Sequence, residues 1–313
     1  MELARISSIQ VITLFVMIFL GFLLTKVGLI KLDAKGTLTN ILVYLVVPAM
    51  IINSYITTTF DDSIVVNLLW CFLLSFLAIA LCAVFIMIVT HFWKTEQKNI
   101  LRFAMVFSNA AYMGFPLIEA LFSSTSMIYA SSFLTVFNVG LWTFGYGLVS
   151  GSFAPKKIAI SILKTPVIYA LILGLILFFC KVEVPSYVQS PLALIGNMNT
   201  PLSMFIIGMV MTQLHFKKVI KNLYMWLTVG IKLLICPFLT LALLYLFKYT
   251  MGMDSLMLQT IFVLMACPCV SITSVFAIQF HYDEELAVSC VVISTLLSLV
   301  TLPLFTLLIP NII

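Results

Sequence analysis

Charge is what this sequence has least of. Of its 313 residues, 9% are Asp, Glu, Lys or Arg, against about 25% in a soluble domain. No stretch is polar enough to read as a solvated globular domain. The net charge of +5 is spread thinly through short segments and is no nucleic-acid surface. Catalytic signatures are missing too: there is no H-E-x-x-H, no G-x-S-x-G and no glycine-rich phosphate loop. The three histidines, His91, His215 and His281, stand at the ends of apolar runs. No Asp or Glu lies deep within such a run, and Glu119 falls toward the end of its own, so no carboxylate relay crosses the middle. Seven cysteines occur, all in or beside apolar runs, where thiols behave as small hydrophobes. The pair Cys267 and Cys269 has no His or carboxylate near it in sequence, so no metal ligand set is implied. An enzyme is a poor reading, and no cofactor is called for.

What the chain does have is hydrophobicity, at 63% of residues. A helix needs about 20 apolar residues to cross a bilayer. Apolar runs between charged or turn-rich breaks predict ten spans, near 8–29, 38–56, 64–90, 100–123, 127–150, 166–182, 191–214, 223–247, 256–280 and 286–309. The fold class is therefore an all-α integral membrane protein with ten transmembrane helices. The first run leads into Lys26 without a small-residue cleavage site, which predicts an uncleaved span. Lys and Arg then set the orientation. Loops one, three, five and seven carry three each, whereas the even loops and both ends share Arg5, Lys181 and Lys248. Positive residues mark the cytoplasmic side, so both termini are expected outside the cytoplasm of a plasma-membrane protein. Loop nine, with Asp283, Glu284 and Glu285, contributes little to this rule.

Five spans per half require that related halves be inverted. Gly21 and Gly174 stand 153 positions apart, as do Pro48 and Pro201; Pro116 and Pro268 stand 152 apart. These spacings predict two inverted five-helix repeats, 1–151 and 166–313, joined by a short basic linker at 152–165. Inverted repeats place a substrate near the midplane, where broken helices meet.

Two polar, proline-interrupted stretches fall in the fourth and ninth spans: FSNAAYMGFPLIEALF, and FVLMACPCVSITSVFA. A proline removes a backbone donor and loosens the carbonyl four residues earlier, near Tyr112 for Pro116 and near Leu264 for Pro268. Irregular backbone at membrane depth is tolerated only where it is buried in protein or lines a cavity. The amide end of such a break suits a carboxylate. Asn109, in the same span as Pro116, carries an amide that must find partners. Asn138 in the fifth span makes the same case more weakly, and Ser271 follows Pro268 closely. Lys232 lies roughly 14 Å inside the eighth span, at 1.5 Å per residue. A cation at that depth marks a functional site or bonds freed carbonyls of a neighbouring helix.

These residues resemble a known family. NAAYMGFPL, from Asn109 to Leu117, is similar to the N-x-x-x-M-G-x-P-L stretch in the fourth span of the auxin efflux carrier family. ACPCVSITSVFAIQF (Ala266 to Phe280) and VVISTLLSLVTLP (Val291 to Pro303) resemble that family's ninth and tenth spans. The resemblance implies a scaffold of spans one, two, six and seven, usually dimeric, and a moving unit of spans three to five and eight to ten. Helices four and nine would cross at Pro116 and Pro268. It places Asn109 on the family's substrate-contacting asparagine. Plant members carry a second proline where this chain has Thr273, and a long central loop. The short loop here looks like the prokaryotic branch, linked to malate and other small carboxylates.

The expected function is secondary transport of a small organic anion, such as malate or an auxin-like acid. Alternating access would be of elevator type, with H⁺ or Na⁺ as a coupling ion and a homodimer formed through the scaffold. The candidate binding set is Asn109, Tyr112, Met113, Gly114, Asn138, Lys232, Cys269, Val270 and Ser271. A sodium-coupled symporter of related fold and a membrane ligand sensor that moves nothing are the rival readings.

Overall fold

A computed structural model describes residues 2–57, 62–122, 124–153, 166–213 and 221–312. Most of the 152–165 linker, with Lys156, Lys157 and Lys164, lies outside these residues, as do Lys217 and Lys218 of the seventh loop.

The described residues are helical throughout, apart from turns and two short extended breaks. In chain order the helices are α1 (Glu2–Lys26), α2 (Ala34–Thr57), α3 (Asp62–Val89), α4 (Lys98–Val106), α5 (Ala110–Leu121) and α6 (Thr125–Ser150). They continue as α7 (Pro166–Phe179), α8 (Ser186–Met211), α9 (Leu223–Met251), α10 (Ser255–Ala266), α11 (Ile272–Gln279) and α12 (Glu284–Ile312). Among the described residues six helices are long and apolar enough to cross a membrane: α2, α3, α6, α8, α9 and α12. The apolar stretch of α1 and helices α5, α7 and α10 are shorter. Helical bonding within each segment is what an apolar surrounding demands of a backbone.

Local chemistry sets several helix ends. Asn222 accepts from the Met225 N–H at 3.3 Å to open α9, and Asp254 accepts from the Met257 N–H at 2.7 Å to open α10. Gly151 and Gly252 close α6 and α9 with left-handed backbone, at φ 67° and 63°.

Helix α8 turns at Asn197 and Met198, and its second half lies along α1. The approach is backbone to backbone. A Cβ on Gly208 would stand 2.1 Å from the Ile18 carbonyl oxygen, and one on Gly21 would stand 2.6 Å from that of Phe205. Such small-residue seams are how helices pack without a hydrophobic drive between them. Helix α7 packs on α2 with a glycine against a side chain, where a Cβ on Gly174 would meet the Tyr55 ring at 2.6 Å. Helices α3 and α6 form a second layer, tied to α2 by Ser54 to Ser131 (2.9 Å) and Tyr55 to Ser132 (3.1 Å). Arg102 staples α4 to the end of α3, its Nε donating to Thr90 at 2.7 Å.

Gly208→Ala is expected to destabilise the detergent-solubilised protein by about 1–3 kcal/mol, the usual penalty of overpacking. Gly36→Ala, with open space around the added carbon, serves as control. Equal melting temperatures for the two variants would refute the close α1–α8 seam.

Candidate functional site

The centre of the molecule is a crossing of two interrupted helices. Between α4 and α5 the chain is extended at Phe107 and leaves helical geometry through Asn109; between α10 and α11 it is extended from Cys267. Ser108 and Cys269 face each other as an antiparallel bridge. The Asn109 N–H donates to the Pro268 carbonyl at 2.8 Å, and the Val270 N–H donates to the Phe107 carbonyl at 3.1 Å. The Cys269 N–H donates to Ser294 Oγ of α12 at 3.1 Å. Each break thus supplies partners that the other lacks, as buried backbone requires.

One expectation changes here. The first interruption lies at 107–109, upstream of Pro116, which sits inside α5. Pro268 does lie in its break. The two prolines are therefore not equivalent crossover points, and their 152-residue spacing does not align the two interruptions. The physical reason is that the extended strand at 107–109 is held by pairing with a distant segment, not by a local proline.

Pro116 acts differently. Residues Ala110–Gly114 form a π-helical stretch, with Gly114 N–H reaching the Asn109 carbonyl at 3.2 Å. Pro116 has no N–H to offer the Tyr112 carbonyl four residues back or, in a π turn, the Ala111 carbonyl five back. Side chains of α8 take them: Asn199 Nδ2 donates to Ala111 at 3.2 Å and Ser203 Oγ to Tyr112 at 3.0 Å. Similar π stretches occur at Leu42–Val46 in α2, Leu141–Gly145 in α6 and Ile231–Ile235 in α9. The stretches in α2 and α9 also stand just before prolines, Pro48 and Pro237.

A cavity of about 300 Å³ opens beside the crossing. Three of the π stretches wall it, through Val43 and Tyr44, Ala111 and Tyr112, and Leu141 and Trp142; Ser108, Asn109, Asn138, Val47, Val167 and Val270 complete much of the rest. Turns of this kind gather at functional sites. Asn109 is 2% exposed and its Nδ2 has no partner among the described residues; Ser108 Oγ is fully buried and likewise unpartnered. A buried donor left unmet costs about 1–3 kcal/mol. Both groups are thus poised for a guest. Among the described residues no acidic or basic side chain lines the space. Helices α5 and α11 begin at its wall, so their N-terminal amides and positive dipole ends favour an anion.

Of the nine candidate residues the cavity gathers Asn109, Tyr112, Asn138 and Val270. Gly114 faces α10 instead, where a Cβ would lie 2.6 Å from Leu264 and 3.3 Å from Cys267 Sγ. Met113 is fully buried and accepts from Ser298 at 3.7 Å. Ser271 caps the start of α11 with a buried, unpartnered Oγ, next to the wall and not in it. Cys269 is fully buried, and its place in the site is held by its backbone. Lys232 is fully buried in the π stretch of α9, its Nζ unpartnered among the described residues, within electrostatic reach of Cys82, Cys236, Cys267 and Cys269. It lines neither this cavity nor the second one described below.

Sequence reasoning missed Ser108, Ser203 and Ser294. Asn199 was missed as well, since nothing local in the sequence ties it to Ala111, 88 positions away.

The family model described as "Membrane transport protein" matches residues 6–159 and 152–306, nearly the whole chain. The chain belongs to that family, which includes the auxin efflux carriers. An uncharacterized transporter of Methanothermobacter thermautotrophicus is 22% identical over 309 residues, covering 96% of this chain and 97% of that protein. With the apolar helices, this makes the chain a multi-pass membrane protein of a transporter family.

Two outcomes follow from the crossing. Ser294→Ala strands the Cys269 N–H and is expected to lower stability by about 1–3 kcal/mol, read as a drop in melting temperature. Lys232→Met removes a fully buried amine with no partner among the described residues and is expected to raise the melting temperature, since an unmet buried donor costs about 1–3 kcal/mol. A fall on Lys232→Met would mean that the ammonium is held by a partner.

Proposed function

We propose that this protein is a secondary transporter for a small organic anion, a carboxylate such as malate or an auxin-like acid. The observation that carries the reading is the cavity at the paired breaks. There donors of Asn109 and Ser108 that are unpartnered among the described residues converge with two helix N-termini in a space that no described acidic group lines. The carboxylate would accept from Asn109 Nδ2 and Ser108 Oγ, while Trp142, Tyr112 and Val47 would cover its apolar part.

The architecture supports alternating access. Taking α4 with α5, and α10 with α11, as single interrupted spans reduces twelve helices to ten. Exchanging the halves maps the α1–α8 seam onto the α7–α2 seam, with Gly21 and Gly174 at matching places; this favours two inverted repeats. In that reading α1, α2, α7 and α8 form the scaffold, the remaining helices form the moving unit, and the cavity lies between them. Val43, Val47 and Val167 come from the first group, and Asn109, Asn138 and Trp142 from the second. The Lys/Arg pattern favours both termini outside the cytoplasm of a plasma-membrane protein. A homodimer through the scaffold follows from the family resemblance.

Asn109→Ala is expected to weaken binding of malate, or of whichever carboxylate a thermal-shift screen selects, by about tenfold or more, the equivalent of one to two hydrogen bonds to a charged group. The melting temperature without ligand should stay near wild type, since the deleted amide has no partner to lose. Wild-type affinity in the variant, measured by calorimetry, would remove Asn109 from the site. Uptake into proteoliposomes separates a carrier from a sensor.

A further inference from the structure

A second cavity, about 280 Å³, lies beyond the π stretch of α5, between α2, α5, the start of α6 and the turn of α8. Its polar lining is rich in acceptors. Asn199 is 2% exposed and has committed Nδ2 to the Ala111 carbonyl, which leaves its Oδ1 buried and unpartnered among the described residues. Asn53 Oδ1 is also buried without a partner. Glu119 adds a carboxylate, and Pro201 provides no N–H for the Asn197 carbonyl. Helix α5 ends here at Leu121 and the first half of α8 ends at Gly196, so two negative dipole ends face the space. Among the described residues no Lys, Arg or His lines it. The two cavities therefore have opposite polarity: helix N-termini and free donors in the first, helix C-termini and free oxygens in the second.

We propose that this second cavity binds a sodium ion through Asn53 Oδ1, Asn199 Oδ1 and the Glu119 carboxylate. Hard cations take oxygen ligands, and one carboxylate among neutral carbonyls suits a single positive charge better than a double one. Asn199 is the positioning residue that joins the two sites, because the same amide holds Ala111, which lines the anion cavity. Sodium and the anion then raise each other's affinity by the same factor. This coupling role rests on the transporter reading; the binding of sodium does not.

The test is the melting temperature of the purified full-length protein in detergent, titrated with NaCl against choline chloride and KCl at fixed ionic strength, each with and without malate. Sodium should stabilise where potassium and choline do not. Asn53→Ala and Glu119→Gln should each raise the sodium concentration needed by about tenfold, as loss of one ligand to a charge implies. Replacing Asn199 also frees the Ala111 carbonyl, so these two variants carry the test. A sodium response absent in wild type, shared by potassium, or unchanged in both variants overturns the site. If malate stabilises while sodium does nothing, the cation site fails alone. If sodium acts and no carboxylate does, the cation site stands and the carrier reading fails.

Discussion

Two hydrogen bonds between unwound segments hold the middle of this molecule: Asn109 N–H to Pro268 and Val270 N–H to Phe107. In an apolar surrounding each unmet amide or carbonyl costs several kcal/mol. Neither break could exist alone. Placed antiparallel, each fills the other's vacancies, and Ser294 closes the remaining Cys269 amide. The pairing fixes four helix ends at one point, and so decides where the dipoles, the free donors and the cavity lie.

The polarity of the site follows from that arrangement without any charged side chain. Helices α4 and α10 arrive with their carbonyl ends and α5 and α11 depart with their amide ends. The cavity opens on the departing side, beside Asn109, Ala111, Val270 and Ile272. Twelve residues later α5 presents its own carbonyl end, near Glu119 and Asn53. One short helix thus lends opposite potentials to two spaces, and Asn199, which lines the second, holds the carbonyl of Ala111, which lines the first. Lys232 stands apart from either and lines neither cavity.

Much of this was readable from residue order. The apolar runs marked the helices; the spacing of Gly21 and Gly174 was read only as a sign of repeats, and the close seams these glycines make against α8 and α2 were not foreseen. Pro116 was rightly expected to loosen the Tyr112 carbonyl. The break itself was misplaced because Phe107 and Ser108 are ordinary helix residues; their extended form is imposed by Pro268 and Val270, some 160 positions away. Propensity does not register such a pairing. For the same reason Ser203 and Asn199 were not recognised as donors to Ala111 and Tyr112. The π stretches were half legible. In three of four a proline follows two residues on, at Pro48, Pro116 and Pro237, where widening the turn relieves the clash with the carbonyl behind. The stretch at Leu141–Gly145 has no such proline, and the structure gives no local cause for it.

Contact chemistry differs sharply from one seam to another, and this decides where movement is easiest. Gly21 with Gly208, and Gly174 with Tyr55, bring helices so close that sliding would drive atoms together. Gly114 locks α5 to α10 in the same way, against Leu264 and Cys267. Between α5 and α8 the polar links are single side-chain bonds to carbonyls that a proline left spare, and between α2 and α6 they are hydroxyl pairs. The close glycine seams therefore resist sliding more than contacts made through single hydroxyl or amide bonds, and the cavity of about 300 Å³ takes its lining from both α2 and α6, the pair joined by such hydroxyl bonds.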